Sequence, residues 1–183
     1  FKCDWSSDVC SSDLHDFNGL LTEYLIDDAE IILVALGSII GTIKDVIDQE
    51  RANGIKVGVL GITSFRPFPS DEVRKRLKHG QKIVVVERAF APGIGGIVSS
   101  NIRTALGGIE IDIRTVVAGL GGRPVTTNTI KDIIGKALYG ALPEFSFSDL
   151  NVELVEREVE RNLASRRSGP MAENLLKDLG GAR

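Results

Sequence analysis

Four runs of strand length, each closed by glycine or proline and followed by a helical pattern, restrict this chain to one class of fold. They are Ile31 to Leu36, Ile55 to Ile62, Lys82 to Glu87 and Ile111 to Val117. The first, Ile31-Ile32-Leu33-Val34-Ala35-Leu36, is apolar without interruption, as a strand covered on both faces must be. Between the runs the period changes to that of a helix. Ile40, Ile43, Val46 and Ile47 repeat at helical spacing over about 39–53, with Ser38 as the expected cap and Gly54 as the stop. Ser70 is the expected cap of a second helix, with Asp71 and Glu72 first, Arg74, Lys75, Arg76, Lys78 and His79 last, and Gly80 beyond. Acid before base suits the helix dipole. Two more helices are predicted, over about 96–106 and, from a Thr126 or Thr127 cap, about 128–139. Strict alternation with short connections predicts an α/β domain over 31–143: three layers, a mostly parallel sheet flanked by helices.

Composition leaves that class open and closes others. Of 183 residues, 43% are hydrophobic and 26% charged, and the formal net charge is −3. A chain without a basic face and with only 5% aromatics is a poor nucleic-acid binder. No apolar run approaches the ~18 residues of a membrane-spanning helix. Cys3 and Cys10 have no second ligand pair after them, so neither a zinc site nor an iron–sulfur cluster is expected, and His15 and His79 lie far apart. Scarce cysteine and no secretory signal point to a reducing cytoplasm.

The ends differ from the middle. Residues 1–14 repeat Ser-Ser-Asp and hold both cysteines and the one tryptophan, without helical or strand period. They read either as translated adaptor sequence foreign to the fold or as a disordered natural terminus. With Phe rather than Met first, the protein is expected to continue upstream. Residues 15–30 read as a linker or short arm. Residues 144–183 form a helical C-terminal arm: Asp149 is the expected cap, and Val152, Val155, Val159 and Leu163 share a face while Glu153, Glu156, Glu158 and Arg161 line the rest. Ser168-Gly169-Pro170 breaks it before a shorter helix through Leu175, Leu176 and Leu179. Such a helix either packs on another domain or subunit or stands solvated.

The loops at the carboxyl ends of the strands are where open α/β sheets present groups to ligands or partners. Gly37-Ser38-Ile39-Ile40-Gly41 lacks the middle glycine of a dinucleotide fingerprint, and Gly61-Ile62-Thr63-Ser64 stands where a ribose-binding carboxylate belongs. Gly119-Leu120-Gly121-Gly122-Arg123 lacks the Gly-Lys-Thr ending of a phosphate loop. Arg123 could clamp a phosphate or carboxylate, or tie its own loop by an ion pair. Glu87 ends an apolar strand beside Arg88. It is either a general acid or base or, near Arg66, Arg88 or Arg123, an ionised structural partner. In Arg66-Pro67-Phe68-Pro69 the prolines fix direction, Phe65 and Phe68 are expected to bury, and Arg66 to face a neighbour. Ser99-Ser100 has no nucleophile elbow around it. No catalytic, cofactor-binding or metal-binding residue is assigned. The candidate interface or loop-structuring groups are Arg66, Pro67, Glu87, Arg88, Gly95, Gly96, Gly121, Gly122 and Arg123.

Gly58-Val59, Phe65-Arg66-Pro67-Phe68-Pro69, Glu87-Arg88 with Gly93 and Gly95-Gly96, and Ala118 to Thr126, in that order, resemble the second domain of the alpha subunit of pyruvate:ferredoxin oxidoreductases. Pro124, where that family often has Asp, and Pro92 are departures. The resemblance implies a fold like the transketolase C-terminal domain. It also implies that a 2-oxoacid is decarboxylated on thiamine diphosphate with magnesium, that electrons leave through iron–sulfur clusters to ferredoxin, and that coenzyme A takes the acyl group. The cofactors would sit on other domains and chains. The implied partners are the first domain of the same subunit, the beta, gamma and delta subunits, ferredoxin and coenzyme A, with no nucleic acid and no membrane. Arg66, Arg88 and Arg123 are then candidate interface groups on a domain inactive alone. Alternatives are the corresponding domain of a 2-oxoisovalerate:ferredoxin oxidoreductase, a transketolase or a 2-oxoacid dehydrogenase beta subunit, or a free-standing ligand-binding α/β module.

Overall fold

Strand β2 (Ile31–Leu36) runs through the middle of a six-stranded sheet, and its side chains alternate between two apolar layers. Ile31, Leu33 and Ala35 meet helices α1 (Ile39–Ala52) and α4 (Thr127–Leu138) on one face. Ile32 and Val34 meet α2 (Ser70–Arg76) and α3 (Ile97–Ala105) on the other. That alternation is the two-residue period of an extended chain, and it explains why every position from Ile31 to Ala35 is buried. The computed structural model describes residues 19–77 and 82–165.

The remaining strands are β1 (Leu21–Tyr24), β3 (Val57–Ile62), β4 (Lys82–Glu87), β5 (Ile113–Val117) and β6 (Phe145–Phe147), in the order β1-β3-β2-β4-β5-β6. β1 is antiparallel to β3 and every other pairing is parallel. The three-layer α/β expectation therefore holds. Fully buried Leu33, Ile43, Leu60, Ile83, Ile102 and Ile133 anchor the two layers, each contributing about 1.5–3 kcal/mol by leaving water.

Several local expectations need correction. Residues 15–30, read as a linker, contribute edge strand β1. Its Leu21 is buried while its Glu23 is exposed, a half-buried alternation too short to stand out from a loop. β6, inside the expected helical arm, adds a second short edge. Ser38 is itself helical (φ −61°, ψ −20°) and its side chain makes no cap bond. Ser70 is the first residue of its helix rather than the cap, and Pro69 precedes it. Thr126 does cap α4, its hydroxyl accepting from the Thr129 N–H at 3.2 Å.

The chain divides after Ser148. In the second unit, helix α5 (Val152–Ser165) is capped by Asn151, whose Oδ1 accepts from the Leu154 N–H at 3.0 Å, two residues beyond the expected Asp149. Val152, Val155, Val159 and Leu163 are exposed. The expected end of the second helix at Lys78, His79 and Gly80, residues 1–14 and the helix through Leu175, Leu176 and Leu179 lie outside the described residues.

Candidate functional site

The chain order fixes where the sheet opens. From β2 the chain crosses by α1 to β3, and from β4 it crosses by α3 to β5, on the opposite side. The carboxyl ends of β2 and β4 are therefore neighbours whose connections diverge, leaving a crevice that no crossover covers. A cavity of about 190 Å3 lies there. Leu36 closes β2 beside it, Val86, Glu87, Arg88 and Ala89 continue β4, Phe65 follows β3, and Ile97 and Val98 open α3. Apart from Glu87 and Arg88 the lining is apolar.

Glu87 is 1% exposed. The sequence suggested an arginine partner, but its Oε1 accepts instead from the Ser99 N–H at 2.7 Å, inside the first turn of α3. The first N–H groups of a helix have no partner of their own, and the residue before this helix is Gly96, which has no side chain to offer them. A carboxylate from a different strand thus does the capping. A Cβ on Gly96 would come within 2.5 Å of both Glu87 Oε1 and Ser99 Oγ, so the missing cap and the imported one share the same space. Burial pushes the Glu87 carboxyl above the usual glutamate range, opposed in part by the N–H donors of Ser99 and Val98. No arginine contributes to that shift.

The shift has a sign that can be measured. A carboxyl whose folded pKa is raised binds its proton more tightly when folded, so its contribution is fully present below the unfolded value near 4.3. It is lost as pH climbs through the raised folded value. Glu87→Gln should remove that slope. Urea unfolding at a series of pH values above about 4 should show the parent losing stability relative to Glu87→Gln, and parallel curves would contradict a raised pKa.

Of the other sequence-marked residues, Arg88 lines the same cavity and Arg66 stacks on its Phe65 wall. Arg66 is exposed; its Nη1 donates to the Phe65 carbonyl at 2.9 Å, and its guanidinium lies 4.0 Å from the Phe65 ring centre. The Arg66–Pro67 peptide is cis. Phe65 and Phe68 meet edge to face at 5.8 Å and pack partly buried on the α2–α3 layer, as expected. Arg88 is exposed at the mouth of the cavity and makes no hydrogen bond or ion pair among the described residues. Gly95 sits in a tight turn bridged to Ala91. Gly121 and Gly122 take left-handed φ of 67° and 79°, which glycine alone adopts freely, and Arg123 follows them, exposed. Glu87 and Arg88 thus line one cavity, with Gly96 against the Glu87 side chain and Arg66 held against the Phe65 wall. The Gly121–Arg123 loop follows β5 on the next strand.

Sequence reasoning missed a cluster of three rings. Phe90, Phe145 and Phe147 lie 5.3–5.7 Å apart between centres, where the chain leaving β4 meets edge strand β6. Phe-Ser-Phe has the two-residue period of a strand, but three residues are too few to distinguish it from a loop.

Comparison with known proteins gives a consistent set of likenesses. The family model described as pyruvate:ferredoxin oxidoreductase core domain II matches residues 29–130. Pyruvate synthase subunit PorA of Methanosarcina barkeri is 36% identical over 144 residues, 75% of this chain and 36% of that protein. The PorA subunit of Pyrococcus abyssi is 38% identical over 122 residues, 64% of this chain and 30% of that protein. Ketoisovalerate oxidoreductase subunit VorA of Pyrococcus abyssi is 32% identical over 120 residues, with 64% of this chain and 30% of that protein covered. Among solved structures, a 2-oxoglutarate:ferredoxin oxidoreductase from Magnetococcus marinus shares the fold, with a TM-score of 0.52 at 20% identity over 69% of this chain and 21% of that one. The chain spans about a third of the length of the curated relatives it matches.

Proposed function

The chain belongs to the pyruvate:ferredoxin oxidoreductase core domain II family, and from that premise we propose that it is the second domain of the alpha subunit of a cytoplasmic pyruvate:ferredoxin oxidoreductase. The observation that carries the pyruvate assignment is 36–38% identity to PorA subunits against 32–34% for the VorA subunits of Pyrococcus abyssi and Pyrococcus furiosus. The complete enzyme would oxidise pyruvate to acetyl-coenzyme A and carbon dioxide and pass two electrons to ferredoxin. Thiamine diphosphate would supply the carbanion chemistry, and iron–sulfur clusters the electron path. Beta, gamma and delta subunits would complete the assembly.

The residues here do not fit the thiamine cofactor. The cavity is about 190 Å3, below the ~300 Å3 at which small-molecule sites begin. Its lining offers two polar side chains, Arg88 and a Glu87 already committed to the α3 N-terminus. The domain instead braces its neighbours, with Arg66, Arg88 and Arg123, all exposed on loops that follow strands, as contact groups. The arm that begins at α5 serves the same end, since its apolar stripe is exposed and shaped for packing on another surface.

The test is the full-length subunit assembled with its partners. Coenzyme A-dependent reduction of ferredoxin should proceed with a kcat/KM for pyruvate more than tenfold that for 2-oxoisovalerate. The reverse order would move the chain to the branched-chain enzymes, and no turnover with either acid would end the proposal. In the same preparation Arg66→Ala and Arg123→Ala should each weaken assembly about tenfold, ~1.4 kcal/mol, with the effect shrinking at high salt as for other rim charges. Assembly at parental affinity would remove the arginines from the interface.

A further inference from the structure

Resting on the bracing role above, we propose that the switch-point cavity is a socket for one large apolar side chain flanked by a carboxylate. That side chain belongs to the part of the same subunit that lies outside this chain. Size is the first argument. At about 190 Å3 the cavity is too small for a cofactor and suits a single leucine-, methionine- or phenylalanine-sized group. Its lining of Leu36, Phe65, Val86, Ile97 and Val98 matches such a group.

The rim is the second argument. Leu36 is 37% exposed and Ile97 38%, and both line the cavity beside half-buried Phe65. Apolar groups gathered around a concave centre are the pattern of a protein contact whose anchor fills a pocket. Charge is the third. Arg88 at the mouth has no acidic partner among the described residues, and Arg66 stands on the Phe65 wall. Glu87, the acid in the cavity wall, is committed to the α3 N-terminus. The rim is therefore positive around an apolar centre, and its complement is an apolar side chain next to an aspartate or glutamate. The source follows from length. The PorA subunit of Methanosarcina barkeri aligns over 36% of its own length, so most of such a subunit lies outside this chain and is joined to it covalently. A tethered segment meets the socket at a high effective concentration that no separate chain has.

A cysteine at Ile97 reports on occupancy. In the full-length subunit carrying Ile97→Cys, with Cys3 and Cys10 changed to Ser, maleimide labelling should be about 100-fold slower than in the denatured chain, the mark of a contact that must open first. Labelling within about tenfold of the denatured rate, both in the isolated subunit and in the assembled complex, overturns the socket. Protection found only after assembly overturns the assigned source and gives the socket to a partner subunit. Hydroxyl-radical footprinting of Leu36, Phe65 and Ile97 in the unmodified subunit gives the same answer without a substitution. Ferredoxin reduction by the same Ile97→Cys complex separates the two readings. An active complex whose introduced thiol still reacts removes the socket and keeps the enzyme assignment. A protected thiol in an assembled complex that turns over neither acid keeps the socket and removes the assignment.

Discussion

Gly58→Ala is expected to destabilise the chain by about 3 kcal/mol, the upper end of the range for overpacking a well-filled interior. Gly58 is the second residue of β3, opposite Ile32 of β2. A Cβ there would come within 2.8 Å of the Leu25 carbonyl carbon, and closer still to its oxygen. Backbone cannot rotate out of the way as a side chain can. This backbone is also held from several sides. Arg51 donates through Nη2 to the Leu25 carbonyl at 2.6 Å, through Nε to the Val57 carbonyl at 2.8 Å, and to both oxygens of Asp28 at 2.7 and 3.1 Å. The guanidinium thus clamps the β1–β2 connection onto the start of β3, and Leu25 is held at a positive φ of 52°. Relieving the methyl would mean breaking that clamp. Urea unfolding monitored by circular dichroism gives the number, and a loss below about 1 kcal/mol would show that the connection yields. Gly41→Ala is the matched control. Gly41 is inside α1 with nothing within 4 Å of a new Cβ, so alanine there should stabilise by about 0.5–1 kcal/mol.

Gly96→Ala is the second large effect, about 2 kcal/mol, and has a different origin. The backbone at Gly96 is ordinary (φ −78°, ψ 134°), so no left-handed strain is involved. The obstacles are Ser99 Oγ, close by in α3, and Glu87 Oε1 from another strand, each 2.5 Å from the methyl. The two positions should therefore couple. In a Glu87→Ala background, which itself costs stability by stripping the α3 N-terminus of its acceptor, the further cost of Gly96→Ala should fall by about 1 kcal/mol or more, within the range of contacting residues. A double-mutant cycle from chemical denaturation measures it. Additive losses would mean that the carboxylate can move aside, and that α3 does not depend on its position.

Much of this structure was legible in the linear chain because burial leaves a periodic mark. Ile31 to Leu36 announced a strand covered on both faces, and Ile43, Val46 and Ile47 announced the helix that covers one of them. What escaped were elements too short to carry a period. β1 has four residues and β6 three, and each reads as loop until its partner strand is in place. Caps escaped for a related reason. Ser38, Ser70 and Asp149 have capping side chains in suitable positions, yet the α1 N-terminus has no side-chain cap, α2 begins after Pro69 and Asn151 takes the tail helix. A turn residue can satisfy several local geometries, and only the path of the chain selects one.

The candidate site divides the same way. Glycines and arginines after each apolar run marked the strand ends, since glycine is needed where φ is positive and a charge cannot remain inside an apolar strand. Glu87 at the end of β4 was visible as an anomaly, but its partner was not. Gly96 as a cap without a side chain was the available signal, because orphan helix donors require an acceptor from somewhere.

Sequence by itself determined the alternation of strand and helix, the two-faced burial of β2, and the family to which the chain belongs, because each is written in local spacing or in the order of short motifs. Only the tertiary structure decided that β2 and β4 are neighbours with diverging connections, that Glu87 serves a helix rather than an arginine, and that an apolar cavity opens between Leu36, Phe65 and Ile97. Strand order is set by which crossovers pack best against a twisted sheet, a competition among distant parts of the chain that leaves no periodic trace in any one of them.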